Sequence, residues 1–182
     1  MPVAIVQATP EQDQQLISAV KAGDTAKVRV LINEGANVLA KNSMGTNALM
    51  YAAKYGYTEI AKLLLNKYPA YDTSDIPYVR AIDLKDHGFE MTALVYAAAN
   101  GHADIVKLLV DKGADVNAGD LADQTALIWA AKGGYVDVVK TLLQAGANVN
   151  IRDEHGSTAL KYAEHNGHNE VVKLLKAAGA KS

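Results

Sequence analysis

The stretch that decides the fold is Thr92–Asn117, which reads TALVYAAANGHADIVKLLVDKGADVN. It begins with an apolar run that contains paired alanines, which suits a short helix packed closely against a neighbour. Gly101 ends that helix, and Asp104 opens a second pattern that buries one face. Gly113 closes the second helix, and residues 114–117 are predicted to lead out in an extended form. Two helices of this size cannot form a core alone, so the unit needs copies of itself on either side.

Copies of this unit follow at a fixed spacing. The triplet Thr-Ala-Leu begins at Thr92 and recurs 33 residues later at Thr125 and again at Thr158. The glycines that end the first helix, and the Gly-Ala pairs that end the second, keep the same spacing. A fixed period of this size predicts a stacked solenoid.

These motifs resemble those of the ankyrin repeat family, whose unit has a T-P-L-H-x-A start, a G-H turn and a G-A-D-V-N exit. The resemblance covers nearly the whole chain. It implies an all-α solenoid of helix-turn-helix units with hairpin-like connecting loops. It also implies binding of other proteins, the common task of the family, with partners unrelated from one member to the next.

The family's histidine at the fourth motif position is absent throughout. Its place is taken by Met50, Val95, Ile128 and Lys161. Because that histidine helps to hold the loops in the family, we expect the loops here to depend mainly on threonine hydroxyls, at Thr92, Thr125 and Thr158. Asn47 is expected to replace threonine as a helix cap.

Five repeats account for the chain, and the first and last carry polar residues where no neighbour covers them. In the first repeat Lys27 takes a slot that is apolar elsewhere, and in the last repeat Lys161 and Glu164 do the same. The predicted organisation is a tail at 1–8, a capping repeat at 9–41, a second repeat at 42–85 with an insertion at 68–85, a third at 86–119, a fourth at 120–152 and a closing cap at 153–182.

The insertion breaks the period. From Asn47 to Thr92 the chain takes 45 residues, 12 more than the repeat, and Tyr68-Pro69-Ala70 stands where the usual Gly-Ala-Asp exit is expected. Insertions in repeat proteins map to loops on one face, often the binding face. On this interpretation stacking does not need the insertion, and two roles stay open: a binding element or a structural strut.

Composition and motifs exclude several classes of function. The net charge is −2, which argues against the concentrated basic surface that nucleic-acid binding needs. No apolar run is long enough to span a membrane. The chain has no cysteine, and its five histidines show no converging ligand set. No nucleophile motif or phosphate-binding loop is present. We therefore expect no catalytic residues, no metal and no cofactor.

The sequence also predicts a compartment and an oligomeric state. A cytoplasmic, monomeric protein is the first interpretation. The apolar start from Val3 to Val6, followed by Gln7-Ala8, resembles the end of a signal peptide. A periplasmic or secreted protein, after removal of such a peptide, is therefore the alternative.

One repeat position holds an aromatic residue in four repeats: Tyr51, Tyr96, Trp129 and Tyr162. Stacking would bring these rings into a row on the first helices. They are predicted to pack between repeats, and their polar edges are predicted to line the concave surface and anchor a partner. Further predicted contacts are the apolar loop tips Met44 and Leu121 and three aromatic residues in or near the insertion, Tyr71, Tyr78 and Phe89.

The leading functional hypothesis is a protein-protein interaction module that uses the concave face, the loop tips and the insertion. One alternative is a small-ligand pocket roofed by the insertion and lined by Tyr71, Tyr78 and Phe89. Another is a structural component of a larger assembly. Residues 61–125 carry ten acidic against six basic residues, which predicts that this middle segment prefers a neutral or basic partner surface.

Overall fold

The computed structural model of the chain describes residues 9–67 and 81–181, and these contain ten α-helices and no β-strand. The helices are α1 (Pro10–Lys21), α2 (Thr25–Asn33), α3 (Ala48–Tyr55), α4 (Thr58–Leu65), α5 (Ala93–Ala99), α6 (Ala103–Asp111), α7 (Ala126–Gly133), α8 (Val136–Gln144), α9 (Ala159–His165) and α10 (Asn169–Ala177). A short 3₁₀ helix, Ala81–Asp83, precedes α5.

The helices form two layers. The front layer consists of α1, α3, α5, α7 and α9, and each of these helices contacts the next one in that order. The back layer consists of α2, α4, α6, α8 and α10, which follow one another in the same way. Each front helix also packs against the back helix of its own repeat. The result is the predicted all-α solenoid, in which every repeat completes the core of its neighbours.

Small side chains set the close packing of the front layer. The paired alanines of α3, α5 and α7 have no measurable exposure, and they continue into one apolar core that runs through the stack. At the ends of the stack the predicted polar substitutions point to solvent. Lys27, Lys161 and Glu164 are exposed, whereas Ile60 and Ile105, which hold the same slot as Lys27, are buried.

Side-chain caps start the front helices, and those at Asn47 and Thr92 agree with the sequence prediction. At α1, Thr9 and Gln12 form a reciprocal capping box. Asn47 Oδ1 accepts a hydrogen bond from Met50 N at 3.0 Å, and Thr92 Oγ1 accepts one from Val95 N at 3.2 Å. One boundary differs slightly from the prediction. The second helix of the third repeat begins at Ala103 and not at Asp104, because His102 occupies the cap position.

The exit from the back helices is a turn and not the predicted extended segment. Asn117 N donates to Asp115 Oδ1 at 2.9 Å, which closes a side-chain turn over residues 115–117. Asn117 Oδ1 in turn accepts a hydrogen bond from Asn148 N of the next repeat at 2.8 Å. Asparagine and aspartate favour this conformation because their side chains bond to the backbone two residues on.

The insertion proves to be partly structural. Ala81 is buried, Ile82 and Leu84 pack against the core, and Asp83 Oδ1 accepts a hydrogen bond from Asp115 N at 2.8 Å. That last bond repeats the contact between Asn117 and Asn148. Residues 81–85 therefore belong to the stack, and the prediction that the whole of 68–85 is dispensable for stacking is wrong for them. Residues 68–80 lie outside the described part.

Candidate interaction surface

Four loops, here called fingers, connect each repeat to the front helix of the next one. They are finger 1 (42–47), finger 2 (86–92), finger 3 (120–125) and finger 4 (153–158). Isolated antiparallel bridges between Lys41 and Asn47, and between Gly119 and Thr125, give the predicted hairpin character to fingers 1 and 3.

Each finger begins with an asparagine or aspartate that folds the loop around itself. In finger 3, Asp120 Oδ1 accepts hydrogen bonds from Ala122 N at 3.0 Å and from Gln124 N at 2.9 Å. In finger 4, Asp153 Oδ1 accepts the equivalent pair from His155 N and Ser157 N. Asn42 and Asp86 fold fingers 1 and 2 in a similar way. We call these four residues the finger bases.

The second polar atom of each finger base holds an aromatic ring of the front layer. Trp129 Nε1 donates to Asp120 Oδ2 at 2.8 Å, and the Tyr96 hydroxyl donates to Asp86 Oδ2 at 2.8 Å. The Tyr162 hydroxyl donates to Asp153 Oδ2 at 2.6 Å. In finger 1 the direction is reversed, because Asn42 Nδ2 donates to the Tyr51 hydroxyl at 3.1 Å.

These bonds bear on two sequence predictions. The polar ends of the four rings are each bonded to a finger base within the chain, and their role as anchors for a partner stays a prediction. The hydroxyls of Thr92, Thr125 and Thr158 cap helices α5, α7 and α9, whereas the fingers are folded by their bases. The loop-holding role predicted for threonine therefore belongs to asparagine and aspartate.

The hydrogen bonds between finger bases and rings, here called braces, shift the pKa values of the residues that form them. Burial works against the Asp153 carboxylate, but hydrogen bonds from Tyr162, Ser157 N and Gln124 outweigh it and lower the pKa of Asp153. The hydrogen bond that the Tyr162 hydroxyl donates to Asp153 raises the pKa of Tyr162. Burial, together with the bond to Asp86, raises the pKa of Tyr96. At neutral pH the carboxylate is therefore charged and the phenols are protonated, the forms that the braces require.

Backbone hydrogen bonds join the fingers to one another. His87 N donates to the Met44 carbonyl at 2.9 Å, Leu121 N donates to the Phe89 carbonyl at 2.8 Å, and Glu154 N donates to the Ala122 carbonyl at 3.0 Å. Three of the predicted contact residues project from this row. Met44, Phe89 and Leu121 are 61, 67 and 64% exposed, one on each of fingers 1 to 3.

Lysines lie on the ring faces of the front layer. The Lys132 ammonium is 4.3 Å from the ring centroid of Trp129 and 4.9 Å from that of Tyr162, and it donates to Gln124 Oε1 at 3.1 Å. The Lys21 ammonium is 5.1 Å from the centroid of Tyr51. These distances allow cation–π attraction.

At the other end of the row, Tyr51 stacks on Tyr55 with a centroid separation of 6.2 Å. The Lys54 ammonium lies 5.9 Å from the Tyr55 centroid. The front face therefore carries two groups of rings and lysines. We call them node 1 (Lys21, Tyr51, Lys54, Tyr55) and node 2 (Trp129, Lys132, Tyr162).

Many acids of the middle segment are engaged within the chain. Asp86 and Asp120 are buried finger bases, Glu90 lies 3.6 Å from Lys85, and Asp111 lies 3.2 Å from Lys107. Asp72 and Asp75 are outside the described residues. The preference of the middle segment for a neutral or basic partner surface stays a prediction.

The small-ligand pocket predicted around Tyr71, Tyr78 and Phe89 stays a prediction, because only Phe89 lies in the described part of the chain. Phe89 projects from finger 2, while Tyr71 and Tyr78 lie outside the described residues. A cavity of about 370 Å³ beside Lys67 is lined by none of the three. Within 9–67 and 81–181, no three histidine or carboxylate side chains converge as metal ligands, and no helix has the length and apolarity to cross a membrane.

Comparison with known proteins agrees with this architecture. The profile of a family described as ankyrin repeats (3 copies) matches residues 5–77, 76–153 and 122–182. The chain belongs to the ankyrin repeat family. A search of curated proteins found no match to the chain. Ankyrin repeats are generally protein-protein interaction modules, and their family members are typically non-enzymatic.

The histidines of the two Gly-His turns connect neighbouring repeats. His102 Nε2 lies 3.2 Å from the Lys54 carbonyl, and His168 Nε2 lies 3.0 Å from the Lys132 carbonyl, so each ties its repeat to the preceding one. The close contact leaves no room for a side chain beneath the ring, because a β-carbon at Gly134 would lie 2.6 Å from His168 Nδ1.

Sequence reasoning missed the finger bases and the lysines of this ankyrin stack. A signal for the bases was present, since Asp120 and Asp153 are 33 residues apart and each stands five residues before the repeat threonine. Lys54 and Lys132 likewise hold one repeat position, three residues after the aromatic residue. Their contact with the ring faces depends on side-chain direction, which the spacing alone does not give.

Proposed function

We propose that this ankyrin stack recognises a partner protein through one surface made of the front face and the fingers. The observation that carries the proposal is the row of three exposed apolar side chains, Met44, Phe89 and Leu121, on neighbouring fingers with hydrogen-bonded backbones. Single exposed apolar residues are ordinary, but an apolar group on adjacent elements is typical of an interaction site.

The braces support this proposal by fixing the surface before binding. Each finger is folded around its base, and each base also holds a front-layer ring at between 2.6 and 3.1 Å. A surface held in this way loses little conformational freedom when a partner docks, which favours affinity. Aromatic anchors on such a frame have a further advantage, since they bury a large area with few rotatable bonds.

The proposal can be tested with a matched pair of variants. The triple variant Met44→Ala/Phe89→Ala/Leu121→Ala removes the exposed apolar groups from the fingers. The control is Val30→Ala on α2, which removes an apolar side chain of similar exposure, 53%, from the back layer. Affinity capture from the source cell, followed by binding assays with the purified captured protein, compares the two with the parent chain.

We expect the triple variant to bind the captured protein at least about 100-fold more weakly than the parent, since truncating a central anchor commonly costs 2 kcal/mol or more. Val30→Ala should bind like the parent. Equal binding by all three proteins would contradict the proposal. The small-ligand and structural alternatives stay predictions, because Tyr71 and Tyr78 lie outside the described residues.

A further inference from the structure

The lysines of the two layers differ in what they contact. In the back layer, Lys62 lies 2.7 Å from Glu59, Lys107 lies 3.2 Å from Asp111, and Lys140 lies 3.7 Å from Glu170. Three front-layer lysines, Lys21, Lys54 and Lys132, contact aromatic rings instead. Among residues 9–67 and 81–181, no carboxylate oxygen lies within 4.0 Å of the ammonium of Lys21, Lys54 or Lys132.

The front helices also provide almost no negative charge against these lysines. The three interior front helices, α3, α5 and α7, contain no aspartate or glutamate. In α9, Glu164 lies 2.8 Å from Lys176 of α10. In α1, Glu11 and Asp13 lie in the first turn, whereas Lys21 lies in the last. The acids that reach this layer are the three aspartate finger bases, whose carboxylates are already bonded to the rings. The lysines of the front helices therefore have no ion-pair partner among the described residues, although the net charge of the chain is −2.

Node 2 holds its ammonium in a fixed place. Gln124 is buried, and its Nε2 donates to Asp153 Oδ2 at 3.0 Å while its Oε1 accepts from Lys132. Lys132 is thereby held between two rings by a bond to a buried side chain, and that bond uses one of its three ammonium protons. A charge positioned in this way can bind an anionic group with less loss of side-chain freedom than a mobile lysine.

Resting on the function proposed above, we infer that the front face takes an extended, acidic segment of the partner protein. Carboxylates of the segment lie on the ammonium groups of node 1 and node 2, and its uncharged residues lie along Tyr96 and Ala99 of α5 between the nodes. Charge complementarity carries the inference, because the ammonium groups of the two nodes lie beside aromatic rings and have no carboxylate within 4.0 Å among the described residues.

The geometry of the stack sets the spacing of the two carboxylates. Lys54 and Lys132 belong to α3 and α7, which are two front-layer steps apart. The axes of packed helices lie about 8–10 Å apart, so two steps separate the two lysines by roughly 16–20 Å. An extended chain advances about 3.3 Å per residue, and the acidic positions of the segment are therefore about five to six residues apart.

Three synthetic peptides test the sign of the charge. The first carries two glutamates about six residues apart in a neutral, soluble sequence, and the other two carry glutamine or lysine at those positions. Trp129 is the chain's one tryptophan and belongs to node 2, so its emission reports occupation of the front face. Binding is measured by this emission and by anisotropy of labelled peptide, at low salt.

We expect the glutamate peptide to bind about 10-fold or more tightly than the glutamine peptide, and the lysine peptide to bind worst. Lys54→Gln/Lys132→Gln should remove this preference. Lys107→Gln/Lys140→Gln, which removes the same charge from the back layer, should keep it. Lys132→Arg, which retains the charge, should preserve binding and so separates lost charge from a damaged fold.

Equal binding of the three peptides, tighter binding of the lysine peptide, or no binding of any of them would overturn the inference. An unchanged preference in Lys54→Gln/Lys132→Gln would also overturn it. Failure of this inference can be distinguished from failure of the proposed function. If the captured partner binds Lys54→Gln/Lys132→Gln normally but does not bind the finger triple variant, the interaction surface stands and only the acidic segment is rejected. If the captured partner binds the finger triple variant like the parent, the proposed function itself is rejected.

Discussion

At the scale of single residues, each finger base matches the hydrogen-bonding chemistry of the ring that it holds. An indole N–H can only donate, so the group facing Trp129 must be an acceptor, and the Asp120 carboxylate meets that requirement. A phenol can donate or accept. Tyrosine is therefore compatible with an aspartate, as in the pair Tyr96–Asp86, and with an asparagine, as in Tyr51–Asn42.

This match predicts that one substitution has different effects at two equivalent positions. In Asp86→Asn, the Tyr96 hydroxyl can turn to accept a hydrogen bond from the amide N–H, as the Tyr51 hydroxyl does. We expect the free energy of unfolding to fall by less than about 1 kcal/mol. In Asp120→Asn, the oxygen is needed by two backbone N–H groups, so the amide would face the indole N–H with donor against donor. For Asp120→Asn we expect the free energy of unfolding to fall by about 2–3 kcal/mol. Urea unfolding measures both variants.

Asp120→Ala is the reference for complete loss of this brace, and it should be at least as damaging as Asp120→Asn. The indole N–H resonance of Trp129 gives a second measurement, since it should move in Asp120→Asn and stay in place in Asp86→Asn. Equal losses of stability in Asp86→Asn and Asp120→Asn would contradict this prediction. They would show that the hydrogen-bonding chemistry of the ring does not determine whether a finger base is aspartate or asparagine.

Residue-scale predictions from sequence succeeded where the backbone alone decides and failed where a side chain has a choice. Thr92 and Asn47 cap helices as predicted, because a cap bonds to backbone three residues away. The row of rings was also predicted from its period. The direction of each polar end was not, since a tyrosine hydroxyl can face solvent or a neighbour with the same spacing in the sequence.

At the scale of elements, the fingers act as a connected row. Fingers 2, 3 and 4 each donate one backbone hydrogen bond to the finger before them, at 2.8–3.0 Å. Gly45 and Gly156 hold the same place in fingers 1 and 4, three residues after the base, and both are left-handed, with φ of 74° and 69°. Their surroundings differ. A β-carbon at Gly45 would lie 2.8 Å from His87 N, whereas one at Gly156 would meet nothing within 4 Å.

This pair separates backbone strain from contact between fingers. Gly156→Ala should lower the free energy of unfolding by about 1–2 kcal/mol, which is the penalty of the left-handed conformation for an L-residue. Gly45→Ala carries the same strain and also displaces His87, whose N–H bonds to the Met44 carbonyl. We expect a total loss of about 3 kcal/mol or more for Gly45→Ala in urea unfolding. Similar losses for both variants would mean that the contact between fingers 1 and 2 contributes nothing.

Elements were predicted well from the sequence because two constraints agree. The apolar period fixes which helix faces are buried, and the glycines fix where the helices end, so α5 and α6 match their predicted spans closely. The exit after α6 was predicted incorrectly. Its Asp115 and Asn117 bond to backbone N–H groups, which forms a turn, and apolar periodicity contains no information about such bonds.

At the scale of the whole molecule, the structure divides the surplus of 12 residues. Asp83 bonds to Asp115 N as Asn117 bonds to Asn148 N, which aligns residues 81–86 with 115–120. Finger 2 is one residue longer than finger 3, counted from Asp86 to Thr92 and from Asp120 to Thr125. The other eleven surplus residues lie in 68–80, which occupies the place of the pair Gly113-Ala114. The sequence gives the size of the surplus but not this division, because the Gly-Ala-Asp exit is missing.

This alignment predicts that residues 68–80 can be replaced by Gly-Ala without loss of the stack. The pair closes the same connection between Lys112 and Asp115, so the shortened chain should keep the helical circular dichroism and unfold within a few degrees of the parent.

A second variant carries a Gly/Ser segment of the original length and tests whether length or sequence matters. A large fall in melting temperature in the Gly-Ala variant alone would show that the alignment of 81–86 is wrong. If both variants fold but bind the captured partner weakly, residues 68–80 contribute contacts of their own, and if both bind normally, recognition lies in the fingers and the front face.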